Sequence, residues 1–346
     1  MVYRDLGKSG IKVSLICLGT MTWGEQNTQE EAFEQMDYAL SRGINFFDVA
    51  ELYPVPPQAS TYGETERIIG AWFKARQNRS RVILATKVTG RSGMAWIRGG
   101  SQLSRQQITD ALEGSLERLG TDYIDLYQLH WPDRAANFFG ALDYEGKADS
   151  EDVHAIEEQL ETLDGFVKAG KVRAIGVSNE TPWGVMRFLH VASARGLARI
   201  VSVQNPYNLL NRSFDVGLAE VALRESCGLL AYSPLGFGVL SGKYAGDAKP
   251  AKARLTLYGE LFGRYTHPKA TRITQAYLDI AKKYKLDAAQ MALAFIHQRP
   301  WLTSTIIGAT SMEQLKSNID SAFLTLSPAM MDDINAVHLE TPNPCP

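Results

Sequence analysis

The sequence predicts an α/β fold, a (β/α)8 TIM barrel with an N-terminal β-hairpin and long loops after several strands, and three observations carry that reading. Short apolar runs of strand length alternate with amphipathic stretches of helical length about eight times along the 346 residues. Three of the runs end on a polar residue: 43–48 closes on Asp48, 82–87 on Lys87 and 124–130 on His130. Polar side chains at the C-terminal ends of parallel strands collect at the mouth where α/β proteins do chemistry. Third, no GxGxxG opens a helix after an early strand, so a doubly wound dinucleotide fold lacks its fingerprint. The whole chain, 1–346, reads as one domain.

The elements follow in order. Residues 2–6 and 12–14 form a hairpin turned by Lys8, Ser9 and Gly10, ahead of a first core strand at 15–18. Helix 29–41 precedes strand 45–48, helix 64–76 precedes strand 82–87, and helix 104–119, opened by an N-cap Ser104, precedes strand 124–130. Helix 153–169 leads to strand 172–177, helix 182–194 to strand 200–204, and helix 213–224 to strand 229–232, with the last strand at 304–307. Three stretches exceed ordinary connections, 88–102, 132–150 and 236–268, and in a barrel such loops build the walls of the site.

Composition excludes several classes. A formal charge of −2 offers no general attraction to nucleic acid or an anionic membrane, and the basic cluster from Arg76 to Arg81 reads as solvated surface at a helix end. Hydrophobic residues at 45% and charged ones at 21% fit a globular chain with a sizeable core. The first eleven residues hold Arg4, Asp5 and Lys8 in place of a signal core, and no apolar run is long enough for a bilayer, so a cytoplasmic location is expected. Cys17, Cys227 and Cys345 have neither CxxC nor metal-ligand spacing, which fits a reducing compartment and no metal site; Cys17, inside an apolar run, reads as buried.

Tyr53, five residues after Asp48, falls in the loop leaving that strand, so Asp48, Tyr53, Lys87 and His130 gather as a set of proton donors at one mouth. Each has an ordinary reading alone: a loop-capping Asp, a snorkelling Lys, a core His between Leu129 and Trp131. The ordered set carries more. Asp48-Val-Ala-x-x-Tyr53, Lys87, His130-Trp-Pro, Gly176-Val-Ser-Asn179, Tyr232-Ser-Pro-Leu-Gly, Ser241-Gly-Lys-Tyr244 and Gly308-Ala-Thr, followed by Gln314 and Asn318, together resemble the aldo-keto reductases over nearly the whole chain.

The resemblance implies hydride transfer between NADPH and an aldehyde or ketone. Hydride arriving at a carbonyl carbon leaves charge on oxygen, which calls for a donor aimed there. Tyr53 is read as that donor, its phenol pKa lowered by the Lys87 ammonium, with Asp48 holding Lys87 charged and His130 offering a second N–H. The motif departs from the family pattern in one place. Tyr53 is followed by Pro54, and the usual Tyr-Gly pair appears later, at Tyr62 and Gly63. Spacing from Asp48 favours Tyr53 and local sequence favours Tyr62; the reading takes Tyr53 because reach from the strand end fixes donor geometry.

By the same resemblance, Ser178, Asn179 and Gln204 meet the nicotinamide amide, Tyr232 stacks on its ring, and Gly19, Thr20, Met21 and Asp48 line that end. Ser233, Pro234, Leu235, Gly236 and Gly238 follow the pyrophosphate with backbone N–H groups. Lys243, Arg254, Gly308, Thr310, Gln314 and Asn318 surround the adenosine end, where two cations favour NADPH over NADH; Ser317 stands where the family often has an acid. Trp23 and Trp131, with Tyr53 and His130 and at one remove Trp96, lie on loops after strands, where two readings stand open: an aromatic substrate wall, or packing of the loops alone. The partner is thus a small carbonyl compound, with no nucleic acid and no membrane, and an oligomeric state the sequence leaves open. Two rivals remain in view. One is an NADPH-sensing subunit with a protein partner, as the potassium-channel β subunits suggest, against which His130 argues because those relatives lack it. The other is a barrel hydrolase using Asp48 and a second carboxylate, against which the Ser178, Asn179 and Gln314 matches argue.

Overall fold

The computed structural model describes residues 1–260 and 262–346, and its central feature is a closed barrel of parallel strands. Strands β1 (Tyr3–Asp5) and β2 (Lys12–Ser14) pair antiparallel as the expected hairpin. Strands β3 (Ile16–Gly19), β4 (Phe46–Asp48), β5 (Ile83–Val88), β6 (Ile124–Leu129), β7 (Val172–Ser178), β8 (Ile200–Pro206), β9 (Gly228–Tyr232) and β10 (Leu302–Ile307) follow one another round the barrel, and β10 pairs back onto β3. Helices α1 (Gln29–Ser41), α2 (Glu64–Arg76), α3 (Arg105–Leu119), α4 (Ile156–Lys168), α5 (Pro182–Arg195), α6 (Leu218–Glu225), α7 (Arg254–Tyr258), α8 (Pro268–Lys283), α9 (Ala288–His297), α10 (Met312–Asp320) and α11 (Pro328–Glu340) accompany them.

Local chemistry sets the helix ends. Thr28 and Glu31 form a capping box at α1, Ser104 accepts from the Gln107 N–H at α3, and Gly120, left-handed at φ 61°, stops α3. Elsewhere the structure corrects the sequence reading. The helix expected over 213–224 is broken, because Gly217 (φ 95°, ψ −58°) separates a single tight turn at Ser213–Asp215 from α6. The helix expected from Val153 starts at Ile156, since the His154 N–H is held by Asp133 Oδ2 at 2.8 Å within the loop after β6. Helices α8, α9 and α11 had no counterpart in the expectation. In α9 every residue from Met291 to His297 is buried, so the helix lacks the polar face that makes a helical period visible.

The cluster from Arg76 to Arg81 also splits. Arg76 pairs on the surface with Asp37, but Arg79 is not solvated: its guanidinium lies 4.0 Å from the Tyr123 ring centroid and donates to buried Asp125 at 2.8 Å. Cys17, Cys227 and Cys345 are all free and buried. No helix among the described residues is long and apolar enough to cross a membrane.

What positions the site is the layering inside the barrel. Cys17, Phe46, Ala85, Leu126, Ala174 and Leu230 pack as an apolar floor, sealed from below by Leu6, Ile11 and Val13 of the hairpin. Gly7 fits the sealing turn because a Cβ there would lie 2.4 Å from the Val201 carbonyl oxygen, at a left-handed φ of 54°. Strand side chains repeat every second residue, so the next inward position along β4, β5 and β6 is Asp48, Lys87 and Gln128. The apolar floor below denies those polar groups water and forces them to satisfy one another.

The buried histidine that ends α9 gives a pH test of the fold. Burial pushes the His297 pKa down to about 4. The unfolded chain binds its proton near pH 6.5 and the folded chain does not, so His297 should cost stability progressively as pH falls from about 6.5, approaching roughly 3 kcal/mol by pH 4. Urea midpoints of the protein and of His297→Leu measured across this range should converge toward neutrality and diverge in acid, with the variant the less pH-sensitive.

Candidate active site

Lys87 is completely buried, and its ammonium has three acceptors: Asp48 Oδ2 at 2.6 Å, the Val49 carbonyl at 2.9 Å and the Tyr53 phenol oxygen at 3.3 Å. The three bonds saturate the ammonium's donors. Asp48 is held in turn by Gln204 Nε2 at 2.8 Å and Gln128 Nε2 at 3.3 Å, both on Oδ1. The mouth therefore brings Asp48, Lys87 and Tyr53 together as expected, and adds Gln128, which the sequence reading missed. Its signal was available: Gln128 shares strand parity with His130 and interrupts an apolar run.

Electrostatics follow from burial. Desolvation pushes the Lys87 pKa down, but Asp48 and then Tyr53 outweigh it, and the net shift is upward, so Lys87 stays an ammonium. For Tyr53 the expected lowering by Lys87 exists but loses: desolvation dominates and the phenol lies above its ordinary value. Tyr53 is thus a protonated donor at neutral pH, and Lys87 offsets part of the cost of its ionisation. The His130 ring meets Tyr53 edge-on at 5.8 Å, and desolvation followed by the Lys87 charge pushes its pKa well down, leaving a neutral imidazole. Its Nδ1 is buried with no hydrogen-bond partner among the described residues.

Tyr62 is placed elsewhere. Its phenol donates to Glu51 Oε2 at 2.6 Å, and its ring sits 5.2 Å from the Arg118 guanidinium. Burial and then Glu51 push its pKa up, and no bond joins it to Lys87.

The residues expected around a cofactor lie at the C-terminal ends of barrel strands or in the segments that follow them, and several spend their polar groups internally. Gln204 holds Asp48, Ser178 Oγ donates to the Gln204 carbonyl at 2.7 Å, and Asn179 donates to the His130 carbonyl at 2.8 Å while accepting from the Tyr232 phenol at 2.5 Å. Thr20 Oγ1 donates to the Asp48 carbonyl at 2.8 Å, and the Met21 carbonyl accepts from the Val55 N–H at 2.9 Å. A Cβ on Gly19 would lie 2.7 Å from Ile306 Cγ2, so strand packing alone demands this glycine. In the loop after β9, the Gly236 and Gly238 N–H groups bond the Ser233 and Leu235 carbonyls; Pro234 has no N–H to give.

The phosphate end fits an anion better. Among the described residues neither Lys243 nor Arg254 has a carboxylate partner, and burial pushes both pKa values down, Lys243 further through the Arg254 charge. A Cβ on Gly238 would lie 2.4 Å from Lys243 Cε, so the glycine lets the lysine lie across the turn. Two desolvated cations without an acid suit a phosphate-bearing cofactor. Beyond β10, nothing lies within 4 Å of a Cβ on Gly308, the Thr310 N–H bonds Gln314 Oε1 at 3.0 Å, and Asn318 reaches the Gly308 carbonyl at 3.3 Å.

The tryptophans separate. Trp23 is fully buried in the helix-covered core with its Nε1–H on Gln35 at 3.2 Å and its carbonyl bonded by Thr65 on α2, so it presents no open face to a substrate. Trp131 lies 4.9 Å from His130 and 5.7 Å from Phe139, beside the mouth, and Trp96 packs edge-on to Tyr62 at 5.7 Å. Leu52, Ile97 and Trp131 form an apolar cluster on which Tyr53 and Phe138 rest.

The Aldo/keto reductase family profile matches residues 15–338. The chain is 50% identical over the full length of both proteins to "Protein tas" of Escherichia coli (strain K12). It is 34% identical to "Uncharacterized oxidoreductase YrpG" of Bacillus subtilis, over 97% of this chain and 96% of that one. It is 30% identical to "Probable voltage-gated potassium channel subunit beta" of Oryza sativa subsp. japonica, again over 97% and 96%. With the closed parallel barrel and this extent of likeness, the chain belongs to the aldo/keto reductase family of oxidoreductases.

Proposed function

We propose that the protein reduces an aldehyde or ketone to an alcohol, with Tyr53 as proton donor and NADPH as reductant. The observation that carries this reading is the Lys87 ammonium bound at once to Asp48, at 2.6 Å, and to the Tyr53 phenol, at 3.3 Å, above an apolar floor. NADPH, when bound, supplies hydride to the carbonyl carbon. As the C–H bond forms, charge grows on the carbonyl oxygen, and Tyr53 hands its proton to that oxygen. The phenolate left behind is stabilised by Lys87, and solvent returns the proton. His130, neutral, offers an N–H to the same oxygen, and the aromatic flank formed by Trp131 orients the substrate. Lys243 and Arg254 supply the charge that a phosphate needs.

The test is consumption of NADPH with an activated aromatic aldehyde, with Tyr53→Phe and Tyr62→Phe run beside the unaltered protein. Tyr53→Phe should retain NADPH binding and lose about 10²- to 10⁴-fold in kcat, the range general acid catalysis contributes, while Tyr62→Phe keeps most of it. Near-normal turnover by Tyr53→Phe would remove Tyr53 from the role. Tight NADPH binding without turnover on any carbonyl would favour a nucleotide-sensing subunit instead.

A further inference from the structure

We propose that Glu51, clamped by Arg98, is a positioning residue for Tyr53, so that the loop after β5 governs proton delivery without touching the reactants. The proposal rests on the reading of Tyr53 as the donor. Glu51 is fully buried two residues before Tyr53, and its carboxylate accepts four bonds: Arg98 Nη1 at 2.7 Å and Nη2 at 2.8 Å, the Tyr62 phenol at 2.6 Å and the Thr89 N–H at 2.7 Å. Its own N–H reaches the Lys87 carbonyl at 3.3 Å. The path from Asp48 to Tyr53 is therefore pinned twice, through Asp48 to the Lys87 ammonium and through Glu51 to the backbone on either side of residue 88.

Arg98 comes from one of the long loops, in a left-handed conformation at φ 50° ahead of Gly99 at φ 78° and Gly100 at φ 112°. A non-glycine residue is strained in that conformation, and the bidentate pair with Glu51 holds Arg98 in it. A buried ion pair is no better than apolar packing at stabilising a fold, but it fixes direction and distance as packing does not. Direction is what Tyr53 needs: its oxygen sits at the limit of hydrogen-bond reach from Lys87, and a displacement near 1 Å in such a group can cost about 10²-fold in rate. Neighbouring Ile97 packs with Leu52 in the cluster under Tyr53, so the loop carrying Arg98 touches the tyrosine's support from both sides.

Arg98→Met and Arg98→Lys test the clamp by kcat, carbonyl KM, NADPH affinity and the pH profile of kcat. Burial pushes the Glu51 pKa up, and Arg98 with Tyr62 and Thr89 brings it below its ordinary value. Without Arg98 the carboxyl should titrate higher, so Arg98→Met should lose 10- to 100-fold in kcat, keep NADPH affinity within about twofold, and show a new fall in kcat as pH drops. Arg98→Lys should recover most of the rate and lose that acid limb. Unchanged kcat per NADPH-binding site in Arg98→Met would overturn the proposal, as would a loss of kcat matched by loss of NADPH affinity. A readout independent of turnover separates this from the reductase reading: alkaline difference spectra, with Tyr53→Phe as blank, report the Tyr53 ionisation. Arg98→Met should move it upward as the phenol leaves Lys87, and an unmoved ionisation would overturn the clamp even if no carbonyl is reduced.

Discussion

Lys87→Met should abolish measurable turnover, with a fall in kcat of at least about 10³-fold, and should also weaken the fold. Among the described residues the ammonium is the only cation bonded to either Asp48 or the Tyr53 phenol. Without it, desolvation of Tyr53 acts unopposed and raises the phenol further. Asp48 would keep its two glutamine donors but lose its counter-ion under nearly complete burial. Removing one member of a buried pair costs about 3–5 kcal/mol. The two consequences separate in a second variant: Lys87→Met with Asp48→Asn should recover most of the urea midpoint and none of the rate. A single variant that folds as well as the parent and turns over at more than a tenth of its rate would show that Lys87 neither supports the phenol nor balances Asp48.

How far the site could be read from sequence depended on whether a residue's direction is set locally. Asp48 and Lys87 lie on strands, where parity fixes which way a side chain points, and their meeting at the mouth follows from strand ends alone. Tyr53 is one step harder; distance along the chain from Asp48 chose it over Tyr62, and of the two it is Tyr53 whose phenol meets Lys87. Trp23 shows the limit. It follows a strand as Trp131 does, but the turn of 20–27 folds its indole onto Gln35 of α1, 12 residues on, while its carbonyl is tied to Thr65 of α2, 42 residues on. Glu51 and Arg98 were invisible for the same reason: an acid and a base 47 residues apart carry no periodic signal. The sign of the Tyr53 shift was misread because it is a contest between burial and a nearby charge, and sequence reports the charge without the depth.

A second buried pair provides the control that separates holding the fold from holding the tyrosine. Glu66 on α2 is fully buried and accepts from Arg118 Nε on α3 at 2.7 Å and from Thr86 Oγ1 on β5 at 2.6 Å, tying two helices to the barrel wall. Gly63 and Gly114 make room for it: a Cβ on either would lie within 2.5 Å or 2.9 Å of the Arg118 side chain. Arg118→Met should leave Glu66 with the threonine alone and cost about 3–5 kcal/mol, read as a lower urea midpoint and a lower Tm. Adding Glu66→Met should return much of that stability, because well-packed apolar groups replace buried ions at little cost. Neither change should alter kcat per NADPH-binding site, since the Glu66 pair bonds no group of the Tyr53 loop and meets Glu51 only at one remove, through the Tyr62 ring 5.2 Å from the Arg118 guanidinium. Arg98 and Arg118 thus make matched substitutions of like chemistry and burial, differing in whether the carboxylate they hold lies in the Tyr53 loop. If Arg118→Met slowed turnover as much as Arg98→Met at equal occupancy, rate would be following stability and the two pairs would have one role. If only Arg98→Met slows it, the loop between Asp48 and Tyr53 is tuned by its own ion pair, and the barrel beneath serves as its frame.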